Sequence, residues 1–349
     1  MLLSPCVRKS IATSTPVQEK SVLVEQLRQA IEDTTSFCTA HGVDVPAILA
    51  SQGFERVRLL GNAVEALIVN DEAKTQYLAL ANTVTRLYKA ILPDDAANRF
   101  TPHRALFTVL AEKIRSLTPP ADIAEVMGAV ETLLDASIAA EGYEIYDLGE
   151  EHRIDLSQID FEALKEQFAQ GQKRTEAEKL RGIIQRKLHS MVRLNKTRMD
   201  YLEQFQKMIE EYNQGSAQLE FHFIRLVEFA QELTTEEQRH MAENLAEEEL
   251  AVFDLLTKPE MDLSEQEKTQ VKQVARELLQ TLKREKLVLD WRKRQQTRAQ
   301  VKVTIEETLD RGLPVTYDQA LFTRKCELIY QHVYDSYFGQ GRSIYGNAA

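Results

Sequence analysis

The chain has 349 residues, with 43 Lys+Arg against 54 Asp+Glu and a formal net charge of −11. With 43% hydrophobic and 28% charged residues, its composition excludes a disordered polyampholyte, a collagen-like chain and an integral membrane protein, and its length allows one large or two ordinary domains. Thirteen glycines and nine prolines fall below average usage of about 7% and about 5%, so few turns and an all-α fold of long helices are expected. The acidic balance argues against a surface that coats nucleic acid throughout, while leaving room for a local basic patch.

In chain order, residues 1–20 are rich in Ser, Thr and Pro without periodicity and read as a flexible linker or tail. A helical domain is expected over 21–170. Its first helix starts at Ser21, with Val22, Leu23, Leu27, Ala30 and Ile31 on one face, and breaks at Gly42. A short segment Val43–Ser51 follows, then helices over Phe54–Asn70, Glu72–Leu92, Pro102–Leu117 and Asp122–Ala140. Tyr143–Asp160 is the one region without helical texture, and a short β-hairpin is expected near residues 143–156.

A C-terminal helical domain is expected over 171–338. Leu180, Ile184, Leu188, Met191, Met199, Leu202, Phe205, Ile209 and Tyr212 keep a helical period, predicting one helix from Thr175 to about Tyr212, more than about 50 Å long at 1.5 Å per residue. Thr175 with Glu178, Thr234 with Glu237, and Ser264 with Glu267 have capping-box spacing. Ser264–Asp310 reads as one helix or two joined near Arg284, and Tyr317–Phe338 as the last, with Phe322, Cys326, Ile329, Val333 and Tyr337 on one face. Residues 339–349 read as a mobile tail.

Several kinds of chemistry leave no trace. There is no GxxxxGK[ST] loop for phosphates, no GxGxxG turn and no GxSxG nucleophile elbow. The single Glu-x-x-His, Glu237 to His240, lacks the second motif that a di-iron bundle needs, so it reads as a solvated helix face, as does the acidic run Glu243–Glu249. Cys6, Cys38 and Cys326 form neither a disulfide framework nor a metal knuckle, which suits a reducing compartment. With no apolar run of transmembrane length and too short an N-terminal one for a signal peptide, a cytoplasmic protein away from membranes is expected. No catalytic, cofactor-binding or metal residue is nominated, and an enzyme whose site forms only in three dimensions is the least supported class.

Two features stand out. Lys283, Arg284, Lys286, Arg292, Lys293, Arg294, Arg298 and Lys302 place eight basic residues against two acidic ones, Glu285 and Asp290, within twenty positions that also hold the only tryptophan, Trp291. The block is either a surface for phosphates or an acidic partner, or a solvated helix face with Leu287 and Trp291 packed inward. Tyr330, Tyr334 and Tyr337, spaced i, i+4, i+7, are either an interface stripe or ordinary core.

Specific words then carry a resemblance. Leu287-Val288-Leu289-Asp290-Trp291-Arg292-Lys293, Gln295-Gln296-Thr297, Val301, Leu313-Pro314, Tyr317, Lys325, His332-Val333-Tyr334, Tyr337 and Gly339-Gln340-Gly341 resemble the C-terminal region of the R subunit of type I restriction enzymes. Arg86-Leu87-Tyr88-Lys89-Ala90-Ile91-Leu92-Pro93 and Ile154-Asp155-Leu156-Ser157-Gln158-Ile159-Asp160-Phe161 resemble the helical region that follows its motor domains. The resemblance implies a subunit with a nuclease domain and two motor domains that use ATP and Mg²⁺ to translocate duplex DNA, of which this chain matches only the C-terminal third, as a fragment or a truncated product. It implies a non-catalytic assembly module that docks the motor subunit on the methyltransferase core. The alternative is a helical module that grips duplex DNA through the basic segment around Trp291.

Overall fold

The computed structural model describes residues 20–92, 95–117, 156, 159–259 and 261–346. The tail expected before Lys20, the helix expected over Asp122–Ala140 and the hairpin expected near residues 143–156, short of Leu156, lie outside them. The fold is all-α: the described residues form thirteen α-helices, and the sheet among them is one two-stranded antiparallel pair. The chain divides into two compact units, the first with residues 1–118 and 170–176, the second with 119–169 and 177–349.

In the first unit α1 (Lys20–Ala40), α2 (Val45–Ala50), α3 (Gly53–Leu67), α4 (Asp71–Ile91) and α5 (Thr101–Leu117) follow one another through short turns. Gly42 at φ +80° ends α1, as its sequence position suggests. Asp44 and Asn70 cap α2 and α4, their side-chain oxygens accepting from the N–H groups of Ala47 at 2.9 Å and Ala73 at 2.8 Å. α4 packs between α1 and α5 over a core that includes Leu27, Leu67, Tyr77, Phe107, Leu110 and Ile114. The Tyr77 hydroxyl, buried in that core, donates to the carbonyl of Phe107 at 3.1 Å, which satisfies its polar end.

Residues 170–176 join this unit through Glu65. Its carboxylate accepts from the backbone N–H of Arg174 at 2.6 Å and from the N–H and hydroxyl of Thr175 at 2.8 and 2.9 Å. The expected Thr175–Glu178 capping box is therefore replaced. Helix α7 starts at Lys173 and its first donors are met by a carboxylate from another helix, a long-range contact that local spacing does not encode.

The second unit opens with α6 (Phe161–Gln170), α7 (Lys173–Leu194), α8 (Met199–Asn213) and α9 (Leu219–Ala242). Their shared core includes stacked rings, Phe168 on Phe223 with centroids 3.8 Å apart and Phe205 on Phe229 at 5.8 Å. The single helix expected over 175–212 is two, interrupted at Asn195 and by a 3₁₀ turn over Lys196–Arg198. No glycine or proline marks this break. The Thr234–Glu237 spacing is not a cap either: α9 starts fifteen residues earlier, and the Thr234 hydroxyl donates to the Ala230 carbonyl inside it at 2.9 Å.

Helices α10 (Glu247–Thr257), α11 (Glu265–Thr281), α12 (Gln295–Gly312) and α13 (Gln319–Ser336) complete the unit. Each packs on the next and α13 returns to α10, enclosing a core that includes Leu250, Leu278, Ile305 and Ile329. Ser264 and Glu267 form the expected reciprocal capping box of α11. α11 and α12 are separate, joined by a π turn at Leu282–Lys286 and a loop.

Strand β1 (Tyr337–Gly339) then pairs with β2 (Arg342–Ser343), so the tail expected from Gly339 is ordered up to Gly346, where Tyr345 is only 7% exposed. The hydroxyl of Tyr345 donates to the Leu194 carbonyl at 2.6 Å, which ties this segment to the unit.

Gly339 tests that packing. It has φ +89°, and an added Cβ would sit 2.5 Å from the Val288 carbonyl oxygen, whereas Gly341 at φ +74° has open space. Gly339→Ala is expected to cost about 2 kcal/mol or more and Gly341→Ala about 1 kcal/mol, read as a lowered unfolding midpoint by the fluorescence of Trp291. Equal losses at the two positions would contradict the close approach.

Candidate functional site

The break between α7 and α8 carries a network of buried ion pairs and hydrogen bonds. Arg198 is 1% exposed; its Nε donates to Glu236 Oε1 at 2.9 Å and its Nη1 to Glu247. Burial works against its charge, and Glu247 with Glu236 more than offset this, holding the guanidinium above its ordinary pKa. Arg239 pairs with Glu236 at 2.9 Å and with buried Asp254, to which it donates from Nη1 at 3.0 Å. Asn195 donates from Nδ2 to Asp254 at 2.7 Å, while its Oδ1 accepts from the N–H of Thr197 at 3.1 Å. Five charged groups, Arg198 in the 3₁₀ turn before α8, Glu236 and Arg239 on α9, and Glu247 and Asp254 on α10, are thus matched within the helical packing, which is the arrangement of a structural anchor.

Neighbouring residues extend the anchor to α13. Lys196 pairs with Asp335 at 2.5 Å, and His332 lies 3.0 Å from the Tyr345 hydroxyl. Burial, aided by the positive charge of Lys196 and opposed by Asp335, pulls the His332 pKa down to about 4. Buried Lys325 donates to the carbonyls of Leu255 at 2.7 Å and Lys258 at 2.6 Å, closing the C-terminus of α10, and burial draws its pKa down to about 8. The acidic run read as solvated is in part structural, since Glu247 binds Arg198 and Glu248 accepts from the Tyr337 hydroxyl at 2.8 Å. At the first turn of α10 the helix dipole favours those carboxylates. Glu237, likewise read as solvated, pairs with Lys187 of α7.

The basic block divides into two sets. Trp291 is 0% exposed and is a core residue: its Nε1–H donates to the Tyr337 carbonyl at 3.1 Å and its ring meets Tyr334 edge-on at 5.8 Å. Arg292 donates from Nε to the same carbonyl at 3.1 Å, with its guanidinium carbon 5.1 Å from the Tyr334 ring centre and 4.6 Å from that of Phe338. Burial lowers its pKa. Tyr337 is buried as well, and Tyr330 and Tyr334 are partly buried against the same core. Trp291 and Tyr337, nominated as contacts, therefore hold the turn in place from inside, because the loop after the π turn folds back on the hairpin.

The remaining cations face outward. Lys283 pairs with Glu248, Arg284 with Glu285 at 2.5 Å and Lys293 with Asp290 at 3.1 Å. Lys302 places Nζ 4.5 Å from the Tyr330 ring centre. Lys286, Arg294 and Arg298 make no ion pair among the described residues, and Arg294, Arg298 and Lys302 recur every fourth position along the start of α12. Among the described residues no group of three or more His, Cys, Asp or Glu is placed to hold a metal ion, and no helix is long and apolar enough to cross a membrane.

A family model described as type I restriction enzyme HindI endonuclease subunit-like, C-terminal, matches residues 10–334. The chain belongs to this family. It is thus a C-terminal region of a type I restriction endonuclease subunit, and the family match covers both the basic turn and the Arg198 anchor. Neither the curated proteins nor the solved structures compared with the chain give a match.

Two measurements probe the anchor. Arg198→Ala leaves buried Glu236 with Arg239 alone and Glu247 without its guanidinium, and is expected to cost about 3 kcal/mol, whereas Arg311→Ala, which breaks the exposed pair with Glu277, costs under about 1 kcal/mol; denaturant unfolding compares them. For His332 the folded pKa of about 4 lies below the ordinary 6.5, so its contribution is full above about pH 6.5 and is lost as pH falls towards 4. A pH series of unfolding midpoints should fall through that window and flatten in His332→Gln.

Proposed function

We propose that this chain is a non-catalytic assembly module that docks the endonuclease subunit of a type I restriction system on the methyltransferase core of the same system. The observation that carries the reading is membership of the C-terminal family over residues 10–334. The helical framework supports it, since the second unit is built of paired helices with an outward cationic turn braced from within by Trp291 and Arg292. In this reading ATP and Mg²⁺ serve the motor and nuclease domains of the parent subunit, the chain brings no cofactor of its own, and it works in the cytoplasm without a membrane. A stoichiometric complex of the folded chain with the cognate methyltransferase core on a sizing column is the expected result. No association at micromolar concentrations would contradict it.

A second reading is contact with duplex DNA, favoured by the row Arg294, Arg298 and Lys302, which makes no ion pair among the described residues. It predicts duplex binding whose logarithm falls linearly with log salt, by about 0.9 per phosphate neutralised, and a shallower slope when the three residues are changed to Glu. Binding independent of salt, or none at low salt, would remove it.

A further inference from the structure

We infer that the turn between α11 and α12 is a preformed docking knob for an acidic, apolar segment of a protein partner, a surface that rests on the assembly reading and specifies it. Its tip is Val288-Leu289, where two consecutive aliphatic side chains are 49% and 50% exposed. Such a pair on a loop ordinarily turns one member inward. Here Leu287 and Trp291 on either side belong to the core, and both tip residues stay outside it.

The tip is held rigidly. The N–H of Leu287 donates to the Leu282 carbonyl at 2.9 Å, the carbonyl of Leu287 accepts from Gln340 of the hairpin at 3.2 Å, and Val288 accepts from the N–H of Trp291 at 3.3 Å. Asp290 closes the turn at φ +56°. A surface already fixed in its bound shape loses little conformational entropy on association, so the cost of exposing Val288 and Leu289 in the free chain is matched by what they bury in a complex.

The surroundings set the partner's chemistry. Lys283, Arg284 and Lys286 precede the tip and Lys293 and Arg294 follow it, while Arg342 of the hairpin lines the cavity beside Leu287. Lys286, Arg294 and Arg342 make no ion pair among the described residues. Beside the tip a cavity of about 270 Å³ is lined by Leu287 and Tyr337 on its apolar side and by Lys283 and Arg342 on its cationic side. That volume takes one side chain, and its walls suit an aliphatic stem ending in a carboxylate.

A phosphate backbone would satisfy the cations but leave the two aliphatic groups without apolar surface to cover. A second copy meeting this patch about a two-fold axis would oppose like charges. An acidic segment with apolar residues at its centre satisfies both parts.

The test uses the full chain, the methyltransferase core of its own system and a duplex. Two double variants spare every buried residue: Val288→Ser with Leu289→Ser, and Lys286→Glu with Arg342→Glu. Unchanged circular dichroism and Trp291 fluorescence verify folding. Each variant is expected to weaken core binding roughly tenfold or more, with added salt weakening the wild type but adding nothing to the loss from the charge variant. Wild-type binding that both variants retain overturns the knob while leaving the assembly reading intact. A wild type that does not bind the core overturns both. Loss of duplex binding alone in the charge variant assigns the surface to DNA and overturns the inference.

Discussion

A guanidinium with almost no access to water persists only where carboxylates stand in for solvent, and the second unit is arranged around one such group. Arg198 sits at the break between α7 and α8, and Glu236 and Glu247 bring α9 and the start of α10 to it. The residues just before it bond in other directions: Leu194 to Tyr345, Asn195 to Asp254, Lys196 to Asp335. One interrupted helix therefore fixes the positions of α9, α10, α13 and the segment after the C-terminal hairpin together. The pairs add little net stability over an apolar core, but leaving any charge alone there is costly, so they set which arrangement is allowed.

The surface follows from that frame. Glu248, one residue beyond the Arg198 partner, accepts from Tyr337 and pairs with Lys283, so the anchor leads directly to the hairpin and to the π turn. Tyr337 in turn lends its carbonyl to Trp291 and Arg292. The outward cations are thus held on a turn that is bonded at both ends, an arrangement suited to binding another protein without first ordering a loop.

Much of the fold was legible because it is written locally. Leu27, Ile31 and their neighbours announce α1, Gly42 its end, and Ser264 with Glu267 the start of α11, since in each case the deciding contact lies within four residues. The failures have the opposite character. The break at Asn195 is made by Asp254, 59 residues away, and the start of α7 by Glu65, so neither leaves a glycine, a proline or a capping pair in the right place. Thr234 and Glu237 had the spacing of a box but lie in the interior of α9, where the apolar face continues from Phe223 through Leu233. Arg198 was invisible among 43 basic residues; the i, i+3 pair Glu236 and Arg239 was the one local hint of the network. The charge inversion around Trp291 was visible, yet composition could not say that Trp291 and Arg292 face the core while Val288 and Leu289 face out. The direction of each side chain there is set by the hairpin that follows, nearly fifty residues on.

The central claim, that this C-terminal region joins its subunit to the methyltransferase core through the second unit, is tested most directly by amide hydrogen exchange of the full chain with and without that core. Slowed exchange confined to residues 282–294 and 337–343 on adding the core is the predicted result. Identical exchange in those segments with and without the core, at concentrations where the two co-elute, would contradict it.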